Sequence, residues 1–119
     1  MSSRPRRPRW VYDAGSDPDP RFSLANERTA LAWVRTALAM LAGGVALHAL
    51  GLPSSNWLGD LVAISLVAFG GLVTVGAMVR WARVERAMRQ RTALPAFTLG
   101  FVLTGAVVVG AALIALALA

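Results

Sequence analysis

The sequence lacks cysteine and lysine altogether, has a single histidine and carries few charges. Without cysteine there can be no disulfide scaffold, no Cys-ligated zinc and no iron–sulfur cluster. One histidine, His48, excludes nearly every histidine-based metal site and catalytic triad. Charged residues make up 15% of the 119 residues, whereas soluble domains carry about a quarter. These absences argue against an ordinary cytosolic globule.

What is present is apolar and rich in arginine. Hydrophobic residues make up 56% of the chain, and 12 arginines against six acidic residues give a net charge of +6. Such an excess is typical of proteins that meet anionic lipid, nucleic acid or another polyanion. Residues 1–19 hold four of the arginines and three aspartates, with no apolar period. This composition predicts a disordered Arg/Pro-rich tail.

Three long uncharged stretches follow the tail, over residues 36–52, 61–79 and 92–119. A helix needs roughly 20 apolar residues to span a bilayer. The last two stretches meet this length, and the first does so if its polar first turns lie among the lipid headgroups. A turn is predicted between the first two, over residues 51–56. We therefore expect transmembrane helices over about 20–51, 56–90 and 93–118.

The arginines predict how these helices are oriented. Seven lie before or at Arg35 and five lie between Arg80 and Arg91, while the first connection and the C-terminal stretch have none. Because cytoplasmic loops carry the excess of positive charge, the N-terminus and the second connection are expected in the cytoplasm. The predicted fold class is all-α: an integral membrane three-helix bundle with its N-terminus cytoplasmic and its C-terminus outside.

Three arginines recur at intervals of seven near the start of the first helix, at Arg21, Arg28 and Arg35. Seven residues are nearly two helical turns, so the three side chains share one face about 10 Å apart. They could extend to lipid phosphates at the inner interface. Alternatively they face a partner helix or a pore and bind anions, since intramembrane charge is usually functional.

Glu27 has no cation four residues further along its own helix. The start of the first helix and the end of the second meet on one side of the membrane, so Arg80 or Arg83 is the expected ion-pair partner. A proton-handling role for Glu27 is the alternative. His48, near the other end of the first helix, is expected to be an interfacial residue, with a pH gate as its alternative.

No catalytic arrangement is visible in the sequence. It has no nucleophile motif, no phosphate-binding loop and no second histidine, so no enzymatic activity, cofactor or metal site is predicted. The arginines do not belong to any RNA- or DNA-binding module, and nucleic acid is not expected as a partner. Small residues recur at four-residue spacing, which permits close helix contacts in lipid and favours a homo-oligomer; examples are Ala39–Gly43, Ala42–Ala46 and Ala106–Gly110.

The opening of the first helix resembles that of a bacterial family, the small YidH-like inner-membrane proteins, whose shared domain has no known function. The residues that carry the resemblance are 19–22 (DPRF), 25–29 (ANERT), 31–33 (LAW), 35–36 (RT), 80–81 (RW) and 85–87 (ERA). The resemblance extends over residues 17–119 in the order of spans and loop charges. It implies a multi-pass protein of the bacterial inner membrane.

The same domain resembles one in the membrane subunits of the eukaryotic vacuolar transporter chaperone complex, which makes and translocates polyphosphate. There it is a three-helix bundle assembled as a pentamer around a pore. By resemblance, Arg21 and Arg28 match pore-facing basic positions and Glu27 the adjacent acid, while Arg80 and Arg83 compete for one further basic position. This chain carries no polymerase domain, so synthesis is not implied.

Two functions remain open from the sequence. The first is an oligomeric conduit or gate for anions, such as polyphosphate, lined by the arginines of the first helix. The second is a non-conducting membrane adaptor or scaffold subunit that positions a larger, unidentified protein partner in the lipid bilayer.

Overall fold

The structure, a computed structural model, describes residues 5–50 and 57–118, and these form helices joined by short connections. The helices are α1 (Arg9–Tyr12), α2 (Pro20–Leu50), α3 (Trp57–Gln90) and α4 (Thr98–Leu118). The last three are long and apolar enough to cross a membrane. The predicted all-α membrane bundle is thus confirmed, while the predicted turn at 51–56 lies outside the described residues.

The ends of the long helices follow local chemistry. Asp19 Oδ1 accepts the backbone N–H of Arg21 at 2.9 Å, and Pro20 occupies the first helical position, where its missing N–H costs nothing. At the end of α3, Arg91 has a φ of 54°, a left-handed conformation that stops a helix. The third span begins at Thr98 rather than near residue 93, since Pro95 disfavours helical geometry in the residue before it.

The central element is α3, which contacts α2 along one side and α4 along another. Small residues bring α2 and α3 close together. A methyl group at Gly44 would lie 2.7 Å from the carbonyl oxygen of Ala63, and one at Gly70 would lie 3.0 Å from that of Ala37. Backbones in lipid approach in this way because dispersion contacts replace the hydrophobic effect as the driving force.

Residues 5–19, which we call the N-terminal strap, fold back along the end of α3. The strap contains the single turn α1, and its Val11 is fully buried. This differs from the disordered tail expected from the composition. The reason is tertiary: the polar backbone of the strap finds its partners on α3, which no local pattern reveals.

The length of α3 determines how far its arginines lie from the hydrocarbon core of the membrane. Its 34 residues extend about 51 Å at 1.5 Å per residue, whereas the hydrocarbon core is about 30 Å thick. Four of the five arginines at positions 80–91 lie in the last turns of α3 and Arg91 directly follows it, at the end of the bundle where the strap and the start of α2 also lie. One end of the bundle is therefore polar and basic, and it carries the candidate site.

Candidate functional site

Arg28 and Arg35 lie on the face of α2 that points away from α3. The contact face is marked by the buried residues Asn26, Ala30, Ala37 and Gly44, whereas both arginines are exposed. Within residues 5–50 and 57–118, neither guanidinium makes a hydrogen bond or an ion pair. Arg28 and Arg35 therefore share one face of α2, as their spacing predicts, and that face is not covered by α3.

An unbroken line of exposed side chains continues from these arginines along α2. Its members alternate at spacings of four and three, and all are exposed: Arg28, Ala32, Arg35, Ala39, Ala42, Ala46 and Ala49. Spacings of this kind form the seam along which two helices pack. Small side chains along a seam allow a close approach in lipid. The outward face of α2 thus has the pattern of an interface that α3 leaves uncovered.

Arg21 is in a different state from the other two arginines. It is exposed, and its guanidinium pairs with the Asp19 carboxylate at 2.8 Å. The hydrogen bond from the Arg21 side chain, followed by that from its backbone N–H, lowers the pKa of Asp19. The predicted stripe of three arginines thus consists of one compensated charge at its end and two uncompensated charges deeper in the helix.

The expected ion pair of Glu27 with Arg80 or Arg83 is not formed among the described residues. Glu27 is exposed and makes no ion pair, because it is turned about 100° from its neighbour Asn26. Asn26 is the residue that faces α3. Arg83 is exposed and Arg80 is half-buried.

A polar cluster that the sequence did not reveal joins α2 and α3 at the basic end. Glu85 of α3 is 3% exposed. Its carboxyl group accepts hydrogen bonds from Ser23 Oγ at 3.1 Å and from Asn26 Nδ2 at 3.2 Å. Asn26 Nδ2 also donates to the carbonyl oxygen of Trp81 at 3.0 Å. The helices are therefore held together here by buried hydrogen bonds rather than by a salt bridge.

Arg89 fastens the strap to α3. It is 6% exposed and donates to the carbonyl oxygens of Ala14 at 2.8 Å and Tyr12 at 2.6 Å, and to the Asp17 carboxylate. Arg6 also pairs with Asp17. The hydrogen bonds from Arg6 and then Arg89 lower the pKa of Asp17. Glu85 and Arg89 have the sequence spacing of an ion pair on a helix surface. In the structure Glu85 is hydrogen-bonded to α2, whereas Arg89 is hydrogen-bonded to the strap.

The strap, α2 and α3 enclose a polar cavity of about 290 Å³, lined among others by Arg6, Asp17, Glu27, Glu85 and Arg89. At the opposite end of the bundle, His48 is exposed and borders an apolar groove of about 600 Å³ beside Asp60. Within the described residues, no group of three or more His, Asp or Glu side chains could hold a metal ion.

Hints of the strap and the cluster were present in the sequence. Val11 and Tyr12 are apolar residues inside a polar segment, and Asn26 precedes Ala30 by four residues and Ala37 by eleven. A polar residue in line with small residues on a contact face indicates a buried hydrogen bond between helices.

The fold and the distribution of arginine define the class: a small, multi-pass integral membrane protein whose polar, basic end carries the candidate site. Residues 21–87 match a family described as "Domain of unknown function (DUF202)". This range covers more than half of the chain and includes the arginines of α2 and the cluster around Glu85. The chain belongs to the DUF202 family, as the resemblance of its opening motif predicted.

Named relatives agree with this assignment. The chain is 43% identical over 82 residues to "Inner membrane protein YidH" of Escherichia coli (strain K12), covering 68% of this chain and 71% of the relative. It is 42% identical over 109 residues to "Uncharacterized protein Rv2272" of Mycobacterium tuberculosis (strain ATCC 25618 / H37Rv), covering 87% and 86%. No solved structure matches. The chain is therefore a multi-pass protein of the bacterial inner membrane, as predicted.

Proposed function

We propose that the chain assembles into a homo-oligomer in which the outward faces of α2 surround a conduit for anions. The observation that carries the proposal is the pair Arg28 and Arg35, which are exposed on the face of α2 opposite α3 and make no ion pair within residues 5–50 and 57–118. Arg35 lies about 6 Å inside the apolar pattern that begins at Leu31, at 1.5 Å per residue. A charge at this depth is costly in lipid unless it faces a water-filled cavity.

The alanines of the same face support the assembly. Ala39, Ala42 and Ala46 continue the line of the arginines toward the far end of α2. These small side chains let neighbouring α2 helices converge at the far end of the assembly, while the arginines at the other end lie around a common axis. Rings of arginine are one of the ways in which pores select anions. The resemblance to the vacuolar transporter chaperone subunits favours a pentamer and a phosphate-rich anion as cargo. We place the N-terminus in the cytoplasm, following the arginine distribution.

Anion flux into vesicles tests the conduit. The purified chain is reconstituted, and flux of chloride, inorganic phosphate and short polyphosphate is measured for the native protein, Arg28→Gln and Arg35→Gln. We expect each substitution to reduce flux about tenfold, because a charge-assisted contact contributes about 1.5–3 kcal/mol. The matched control is Arg91→Gln, which removes an arginine outside α2. No flux in the native protein, or no loss with Arg28→Gln, contradicts the proposal.

The subunit number is measured separately, by the mass of particles extracted without detergent. Ala42→Leu should break up the assembly by separating the helices along the line, whereas Ala111→Leu on the exposed side of α4 should leave it intact. A single-subunit particle that purifies with one stoichiometric protein, together with absence of flux, supports the adaptor function instead.

A further inference from the structure

A cleft separates the basic end of α3 from the segment that leads into α4. Its volume is about 320 Å³. No residue of α2 lines it, so it is distinct from the face that carries the proposed conduit. The lining residues are Gly76, Val79, Arg80, Arg83, Pro95, Ala96, Thr98 and Leu99.

Two arginines give the cleft its charge. Arg80 and Arg83 are three residues apart on α3 and therefore lie on the same side of the helix. Neither makes a hydrogen bond or an ion pair with any described residue, and the Nε–H of Arg80 is buried without an acceptor. The lining contains no acidic side chain. The cleft thus presents two positive charges and a buried, unsatisfied donor, with no acidic side chain among its lining residues to offset them.

The opposite wall offers further donors. Thr98 is exposed, and its hydroxyl makes no hydrogen bond with the rest of the described chain. It is the first residue of α4, whose first turn has no acidic side chain. The backbone N–H groups of a first turn have no partners within the helix and favour a negative charge.

The floor of the cleft is apolar. It includes Val79 and Leu99, and the absence of a side chain at Gly76 opens it: a methyl group there would lie 3.1 Å from Leu99 Cδ1. From this floor, α3 and α4 continue into their apolar spans. The cleft therefore combines cations at the level of the lipid headgroups with an apolar wall that leads into the hydrocarbon.

We propose that this cleft binds a phosphate group, held between the guanidinium groups of Arg80 and Arg83 and the Thr98 end of α4. Arginine and phosphate form strong charge-assisted hydrogen bonds, and basic pockets between transmembrane helices bind anionic lipid headgroups. Because the floor is apolar, the phosphodiester of an anionic phospholipid fits the cleft better than free phosphate, which has no group to contact Val79 or Leu99.

Lipid binding to the full chain tests the proposal. Native mass spectrometry measures the binding of phosphatidylglycerol, and of phosphatidylcholine with the same acyl chains, to the native protein and to Arg80→Gln/Arg83→Gln. We expect the double variant to bind phosphatidylglycerol about tenfold more weakly, given the strength of charge-assisted hydrogen bonds. Binding of phosphatidylcholine should change much less. Arg83→Gln alone, at an exposed position, should weaken phosphatidylglycerol binding without affecting the fold.

The control and a second probe decide what is bound. Arg91→Gln removes a charge from the same connection but from outside the cleft, and it should bind phosphatidylglycerol like the native protein.

As the second probe, inorganic phosphate is titrated into the protein in phosphatidylcholine nanodiscs. Saturable binding there that requires Arg80 and Arg83 supports the phosphate site and identifies the free anion as its source. The proposal is overturned if neither probe depends on these arginines, or if Arg91→Gln loses as much affinity as the double variant. Neither outcome bears on flux through α2.

Discussion

Asn26 and Glu85 are hydrogen-bonded to each other across the contact between α2 and α3, at 3.2 Å and with both side chains buried. Asn26→Ala removes this donor and leaves the Glu85 carboxyl group with the hydroxyl of Ser23. We expect a loss of about 1–3 kcal/mol in the free energy of unfolding, the cost of an unsatisfied buried group. Unfolding in SDS-containing mixed micelles measures this loss.

The control is Glu27→Gln at the adjacent exposed position, whose free energy of unfolding should stay within about 0.5 kcal/mol of the native value. Equal stability of the two variants would contradict the structural role of Asn26.

The close contact at Gly44 gives a second prediction. Gly44→Ala places a methyl group 2.7 Å from the carbonyl oxygen of Ala63 and 2.8 Å from Val67 Cγ2. Since backbone must move to accommodate it, we expect a destabilisation of about 1–3 kcal/mol, measured by the same unfolding assay. Gly71→Ala is the matched control, because a methyl group there meets nothing within 4 Å. The control should be neutral or stabilising by up to about 1 kcal/mol. Similar losses in the free energy of unfolding of both variants would contradict a close backbone contact at Gly44.

The strap depends on Gly15, which has a φ of +51° and lies against the carbonyl oxygen of Arg89. Gly15→Ala adds both left-handed strain and a steric clash with backbone, so we expect the strap to detach. Hydrogen exchange over residues 9–16 should then accelerate at least about tenfold, equivalent to about 1.4 kcal/mol. Ser16→Ala keeps the backbone hydrogen bond to Arg89 and should exchange like the native protein. Unchanged exchange in Gly15→Ala would rule out this attachment.

Acid should release the strap through Asp17. Hydrogen bonds from Arg6 and Arg89 lower the pKa of this carboxyl group from its ordinary value of 3.8. A lowered folded-state pKa stabilises the docked strap above pH 3.8, and the contribution is lost as the pH falls through the lowered value. The amide resonances of Val11 and Gly15, followed by NMR as the pH is reduced from neutrality, should report the transition.

Two variants isolate the contribution of Asp17. Asp17→Asn should loosen the strap already at neutral pH and abolish the acid transition. Asp13→Asn changes an exposed aspartate that makes no ion pair with the described residues, and it should retain the transition. An acid transition that persists in Asp17→Asn would assign it to another group.

The sequence predicted the membrane spans well, because bilayer thickness converts directly into the length of an apolar stretch. The shared face of Arg28 and Arg35 was also predictable, since helical geometry alone decides which residues lie seven apart on one side. The start of α2 followed from the local chemistry of Asp19 and Pro20. The uncharged stretch from residue 92 predicts an earlier start of α4 than Thr98, because the absence of charge does not show that Pro95 disfavours helical geometry in the residue before it.

The sequence hints at the strap and the buried cluster but does not show which residues they contact. Arg89 and Glu85 look like a solvated helical pair, and only the folded chain shows that Arg89 binds residues of the strap 72 to 77 positions away. The charge of Glu27 predicts an ion-pair partner on α3, whereas in the structure the neighbouring amide of Asn26 makes the contact with α3. Asn26 and Glu27 lie at almost the same height along α2. Only the rotation of α2 about its own axis decides which of the two side chains faces α3.

The order in which the protein is synthesised gives the strap a further significance. Tyr12 leaves the ribosome 77 residues before Arg89, a delay of several seconds at roughly 5–20 residues per second. During this interval Val11 has no surface to cover it, and both α2 and most of α3 must enter the membrane before the strap can close. Closure also requires the two helices to form a hairpin whose open ends emerge on one side. A docked strap therefore requires that α2 and α3 have inserted as this hairpin, and a misinserted chain leaves Val11 without the surface that buries it.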